Sequence, residues 1–380
     1  VYAASEPPME GGTHWDLYRH FRASGMRPMC AASLDQAQRY FERHLRTGDV
    51  FCAIGAGDVE RIAVRLGEAV RGCRLSGVDP EFDWVPELRS HAGPATLVRA
   101  DEPMAGHTTL GVGGIADAYV ETAGADEAAR ILRWCRTRNV PVIPLGAGSN
   151  LLVSDLGVRG VALRGRRGDF NAIGIDEDGL MLAGAGLRLG ELVTRAAEWG
   201  WAGLECIAGI PGTVGGALRM NAGAAGGEIG PLVEWVRFLD AAGVERRVKG
   251  PELGFVYRDC PGLRDAFVVD AGLRVARGRP AEIRERVGEL LRKRDWMRGL
   301  HTAGSVFKNP AGEPAGRLLD QAGLKGARVG GAWVSEQHAN IIVSEAGATA
   351  SDVMALIEQA RSAVARVHGI ILELEVRSLE

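Results

Sequence analysis

Five stretches of this 380-residue chain carry side chains and spacings that packing alone does not demand. The densest is Gly203–Ala224, GLECIAGIPGTVGGALRMNAGA, which holds too many glycines for an ordinary helix or strand. Glycine admits positive φ and lets backbone N–H groups approach an anion with no Cβ between them, so such a run can cradle a phosphate. Gly209, Ile210, Pro211, Gly212, Thr213, Gly215, Gly216, Asn221 and Gly223 are its candidate ligand contacts. Leu145–Asp155, LGAGSNLLVSD, follows the strand-like run Val140–Pro144 and sets Gly146, Gly148, Ser149 and Asn150 at its turn. One such loop is equally compatible with a plain surface turn, but two suggest a long diphosphate ligand. Gly-Lys occurs nowhere, so neither is a phosphate loop of that type, and neither opens a convincing dinucleotide βαβ unit.

The other three stretches carry polar chemistry. Leu253–Asp259, LGFVYRD, presents Tyr257 and Arg258, and a planar guanidinium suits a carboxylate through two parallel hydrogen bonds. Thr302–Pro310, TAGSVFKNP, sets Ser305, Lys308 and Asn309 in a short loop. In Ile370–Arg377 the period-two rule puts Ile370, Leu372, Leu374 and Val376 on one face, and Glu373, Glu375 and Arg377 on the other. A solvated sheet face explains three shared charges as well as a site does, and a surface ion pair is the usual fate of an arginine.

Helices and strands must hold these groups. Ala128, Ala129, Ile131, Leu132 and Cys135 mark one face of a helix between Gly124 and Asn139 that feeds the first cradle. Short strands are expected at Gly160–Arg164 and Leu180–Ala183, and a helix at Leu189–Trp199. A helix opens at Pro280 with Ile283, Val287, Leu290 and Leu291. Another covers Ala315–Ala322, and a long one runs Ser351–Val367 with Gly369 as its stop. This mixture predicts an α+β chain rather than a doubly wound sheet.

Composition narrows the class further. Glycine makes up 53 of 380 residues, roughly double the usual share, while 46% hydrophobic and 24% charged are ordinary for a globular protein. A net charge of −3 argues against nucleic-acid binding. The six cysteines form no CxxC pair, which fits a reducing cytoplasm and no metal site, and no apolar run reaches membrane-spanning length.

Together these motifs resemble the UDP-N-acetylenolpyruvoylglucosamine reductase family, from about Leu97 to Leu379. DEPMAGHTTLGVGGIADAYVE is similar to the family's entry into its flavin domain, LGFVYRD to its F-x-Y-R-D motif, GSVFKNP to its serine motif, and the ending to its E-x-E-V-R strand. The resemblance implies a two-subdomain FAD-binding fold of the vanillyl-alcohol-oxidase/PCMH type plus an α+β substrate-binding domain. It further implies FAD bound noncovalently in the two glycine loops, NADPH as reductant and UDP-N-acetylglucosamine enolpyruvate as substrate. Arg258, Ser305 and Glu375 take the catalytic positions, Ser305 as proton donor. Tyr257, Lys308, Asn309 and Gln321 are the expected substrate contacts. The spacing from Arg258 to Ser305 looks too short for the family's extra tyrosine loop, so something else must shield the pocket.

The first 75 residues read differently. VYAASE and GAGDVERI resemble the end of the C-terminal domain of UDP-N-acetylmuramate–L-alanine ligase, and the alternating pattern around them predicts a short α/β fragment. No ATP phosphate loop accompanies it, so no ligase activity is expected, and a ligase–reductase fusion with an upstream ligase domain is the reading favoured here. The expected organisation is therefore 1–75 ligase-like, 76–95 linker, 96–278 FAD-binding and 279–380 substrate-binding. Two other classes remain open: a flavin oxidase on the same fold, disfavoured by the lack of histidine in Gly148-Ser149-Asn150, and a noncatalytic scaffold of wall synthesis.

Overall fold

The computed structural model describes residues 84–379, the helix and turn at 14–24, and a few positions between them. Apart from these positions, the short α/β fragment expected over residues 1–75 lies outside the described residues. Helix α1 is His14–Ala23. Helix α2, Val85–His91, falls inside the stretch expected to be a linker without periodicity. Pro86 and Glu87 suit its first turn, and Arg89 and His91 its last. It exists because Val85 and Leu88 have somewhere to go: both are buried, and Glu87 accepts from Trp134 Nε1 at 3.0 Å.

The first sheet contains β1 (Leu97–Pro103), β2 (Ile115–Thr122), β3 (Val142–Pro144) and β5 (Val158–Gly165) in the order β1-β2-β5-β3, with β4 (Leu151–Val153) outside it. Only β1 runs antiparallel to its neighbour. Helix α3, Ala125–Thr137, covers it with the stripe expected from sequence. The second sheet is antiparallel throughout. It draws on β6 (Ile173–Ile175), β7 (Leu180–Gly184), β9 (Val233–Leu239), β10 (Glu245–Lys249) and β11 (Phe267–Arg274), in the order β10-β9-β11-β7-β6. A two-residue ladder joins β8 (Trp201–Ala202) to β12 (Ala276–Arg277). Helices α4 (Leu189–Glu198) and α5 (Val214–Arg219) flank the second glycine loop, and one continuous apolar core joins the two sheets.

Helix α6, Pro280–Arg294, was grouped by sequence with the C-terminal unit. It packs instead on α4, with Val287 and Leu290 against the core that joins the first two sheets. The third sheet starts after it, with β13 (His301–Ser305), β14 (Arg328–Val329), β15 (Ala332–Val334) and β16 (Ile341–Ser344) in the order β13-β16-β15-β14. Helices α7 (Ala315–Gln321) and α8 (Ala350–His368) cover it over a second core. A capping box between Thr349 and Asp352 starts α8, and Gly369 at φ +67° stops it.

The strand expected at 370–377 is only partly a strand. Residues 370–376 make a single bridge, Leu374 to Phe307, and bend at Val376, and regular pairing begins at β17 (Arg377–Leu379), parallel to β4. The alternation survives, with Leu372 and Val376 buried and Glu373 exposed. Ladder pairing is lost because the segment leaves the third sheet and joins the first glycine loop, bonding to each in turn.

Candidate active site

Both glycine loops open on one cleft of about 920 Å³. They are neighbours: a Cβ added at Gly146 would lie 2.7 Å from Thr213 Oγ1, and one at Gly212 would lie 3.4 Å from Ser149 Oγ. Gly148 has φ +66°, and any side chain there would collide with the His107 carbonyl. Of the thirteen residues expected to hold the cofactor, twelve line the cleft; Asn221 does not. Its side chain is 2% exposed and spent on structure, donating to Glu228 and to the Val256 carbonyl while accepting from Gly230 N. A left-handed φ of +42° makes it a turn residue.

Arg258, Ser305 and Glu375, which are 117 positions apart at the extremes, meet on this cleft. Arg258 itself has φ +56°, a conformation that costs energy in any residue with a Cβ. The tight turn around it holds that conformation through Val256 N to Asp259 O at 3.0 Å and Asp259 N to Val256 O at 3.1 Å. Asp259 is fixed in turn by Arg219 and Arg264. Burial acts to raise its pKa, but the two guanidiniums hold it down at about 2. Arg258 Nε donates to Glu375 Oε1 at 2.8 Å, with both side chains largely buried. Burial pushes the Glu375 carboxyl above the usual glutamate range, against the pull of Arg258 and Lys308. Ser305 Oγ makes no hydrogen bond to any described residue, so its proton is free to meet a ligand.

The expected substrate contacts fall outside the cleft lining. Tyr257 is 43% exposed, with its ring under the Arg258 guanidinium and its hydroxyl 3.5 Å from Asn309 N. Asn309 Oδ1 accepts from Ala315 N and thus ties its loop to α7, while Lys308 pairs with Glu373. Gln321 is exposed at the end of α7 and touches none of these groups. Tyr257, Lys308 and Asn309 form a rim beside the cleft, and Gln321 lies away from it.

Several lining residues escaped the sequence reading. Arg219, Arg294 and Arg377 join Arg258 to make the cleft strongly positive, and Arg294 also donates to the Gly209 carbonyl at 3.1 Å. Leu291 and residues 293–298, where α6 runs toward β13, line the cleft, Trp296 and Met297 among them. His338 lines it too, and burial lowers its pKa. The density of arginine around the motifs was the available signal. No group of three or more histidine, cysteine or acidic residues among the described residues suits a metal.

Comparison with known proteins agrees with this geometry. A profile described as FAD binding domain matches residues 116–249, and one described as the C-terminal domain of UDP-N-acetylenolpyruvoylglucosamine reductase matches residues 296–379. The chain is 42% identical over 280 residues to the reductase of that name from Heliobacterium modesticaldum, covering 73% of this chain and 88% of the relative. It is 43% identical to that of Gloeobacter violaceus, covering 72% and 93% respectively. The crystal structure of the Thermus caldophilus reductase matches with a TM-score of 0.65 at 37% identity, over 75% of this chain and 100% of that one. The flavin-domain fold expected from sequence is therefore the fold present, and the chain belongs to the UDP-N-acetylenolpyruvoylglucosamine reductase family.

Proposed function

We propose that this chain reduces UDP-N-acetylglucosamine enolpyruvate to UDP-N-acetylmuramate, using NADPH and noncovalent FAD. The residues present suit that cofactor. Two glycine loops in contact leave room for a diphosphate, the arginines around them balance its charge, and Gly148-Ser149-Asn150 offers no histidine for covalent attachment. Held in these loops, FAD would supply the hydride chemistry, linking NADPH to the terminal carbon of the enolpyruvyl double bond.

The protein must make that bond accept hydride. Negative charge develops beside the substrate carboxylate, and Arg258 holds the carboxylate while Glu375, in the protonated form that burial favours, donates a hydrogen bond to the enolate-like charge. Ser305 Oγ gives its proton to the adjacent carbon, which completes the addition of hydride and proton across the double bond. Tyr257, Lys308 and Asn309 on the rim meet the nucleotide end. Flavin binding falls to residues 96–278 together with α6, and substrate binding to the third sheet and its helices. We also infer, from VYAASE and GAGDVERI alone, that residues 1–75 descend from a ligase C-terminal domain. A reading frame with no ligase sequence upstream would count against that ancestry.

The observation that carries the functional reading is the Arg258–Glu375 pair beside an unpartnered serine in a glycine-cradled cleft. Ser305→Ala tests it: NADPH bleaches the flavin at the parental rate, and the enolpyruvyl substrate no longer restores the colour. Equal loss of both half-reactions would sink the assignment.

A further inference from the structure

Ser305 sits where the β13–β16 ladder changes register. Thr302 pairs with Val343, but Ser305 pairs with Ile341, so three steps on β13 span two on β16. Such a bulge re-aims the side chain beside it and leaves backbone groups short of ladder partners. Just past the bulge, where the ladder ends, Asn340, 3% exposed, takes over the pairing of the next two residues. Its Oδ1 accepts from Phe307 N at 2.9 Å and its Nδ2 donates to Phe307 O at 2.8 Å, while its backbone carbonyl accepts from Val306 N at 3.0 Å. A primary amide is the side-chain group of this length that offers an acceptor and a donor on one plane, as a peptide of a neighbouring strand would.

The same strip is gripped from the other side by the catalytic tail. Val306 O accepts from Glu375 N at 2.8 Å, and Lys308 N donates to Glu373 O at 2.8 Å. Residues 306–308 are thus the shared edge through which the serine and the glutamate are registered. Asn340 fixes that edge from the sheet side without lining the cleft.

We propose that Asn340 is a positioning residue for protonation of the substrate: its carboxamide sets the register of the serine loop and so the placement of Ser305 opposite Glu375. It plays no part in flavin reduction by NADPH. This inference rests on the assignment of Ser305 as proton donor.

Asn340→Asp keeps the shape and the acceptor but loses the donor to Phe307 O, and the half-reactions of the FAD-loaded full chain are followed by stopped flow. The expected result is NADPH-driven bleaching within about twofold of the parent and substrate-driven recovery slowed about 100-fold, the scale of a misplacement of around 1 Å. Substrate affinity should change little, so the loss falls on kcat rather than KM. Equal slowing of both half-reactions, or parental recovery, overturns the positioning role. Full-speed recovery in Ser305→Ala alone instead overturns the serine assignment, and the positioning role with it. Should a buried carboxylate prevent folding, Asn340→Ser reads the same two rates and is judged by the same outcomes.

Discussion

Asn150 donates from Nδ2 to the backbone carbonyl of Glu375 at 3.0 Å, and Arg377 N returns a bond to Asn150 O at 3.0 Å. The first glycine loop therefore holds Glu375 by its own peptide. Glycine loop and C-terminal tail form one unit, even though 225 positions separate the two residues. Asn150→Ala leaves the Glu375 carbonyl without that partner, at a cost of about 1–2 kcal/mol. The expected outcome is weaker flavin retention together with a roughly tenfold slower reduction of substrate. Absorbance ratios after gel filtration and steady-state turnover check both, and a loss confined to flavin content would show that the link to Glu375 is idle.

The Arg258–Glu375 pair makes a prediction in pH. Burial raises the Glu375 pKa, so the native chain binds this proton more tightly than the unfolded one. Its contribution to stability is then complete below the ordinary glutamate range and is lost as pH rises through the raised native value. Arg258 opposes burial, so Arg258→Gln should move that loss to higher pH. Melting temperatures of Arg258→Gln and of Arg258→Gln with Glu375→Gln, measured from about pH 4 to about pH 8, separate the effect. Superimposable profiles for the two would mean that Glu375 is not the group responsible.

Local signals carried much of this molecule in sequence. The apolar stripes of α3 and α6 and the glycine loops were legible from residue type and spacing, whereas Arg258, Ser305 and Glu375 stood out only through the family resemblance of the motifs around them. What failed was whatever depends on distant partners. Helix α2 looked like a linker because its seven residues are too few to show a period, and burial of Leu88 under Trp134 is a tertiary fact. Asn221 looked like a cofactor ligand because asparagine in a glycine loop reads the same whether its amide faces inward or outward. The tail at 370–376 showed strand alternation correctly, but alternation does not reveal that its hydrogen bonds are shared between two domains. The positive φ of Arg258 is likewise set by a turn whose Asp259 is held by Arg219 from a distant element.

Gly148 allows a test of the cradle that does not touch catalysis. Its φ of +66° disfavours any L side chain, and the His107 carbonyl occupies the space a Cβ would need. Gly148→Ala should cost more than about 2 kcal/mol, from the left-handed backbone and the displacement of the 104–107 turn, and the purified protein should lack flavin. Gly174→Ala is the matched control, since a Cβ there meets nothing within 4 Å. Full flavin content in Gly148→Ala would remove this loop from the cofactor site.

The last prediction concerns the docking of α1. Tyr18 is 1% exposed and donates to Asp352 Oδ1 at 3.0 Å, while Arg22 meets the same carboxylate with Nε at 2.7 Å and a terminal nitrogen at 2.8 Å. Asp352 is fully buried and also serves the start of α8, accepting from Thr349 N at 3.1 Å and Gly331 N at 3.2 Å. Removing one partner of a buried pair leaves a charge without compensation, which costs about 3–5 kcal/mol when nothing else satisfies it. Here two backbone donors remain, so Arg22→Ala should cost about 2–3 kcal/mol. Adding Asp352→Asn should recover part of that loss, because a neutral amide tolerates burial better than an unpaired carboxylate. Denaturant melts of the single and double variants measure the coupling, and flavin content should stay parental, since α1 lies against α8 and β14 rather than on the cleft. If Arg22→Ala unfolds at the parental midpoint, the contact of α1 with Asp352 does not contribute to the stability of the unit built on the third sheet.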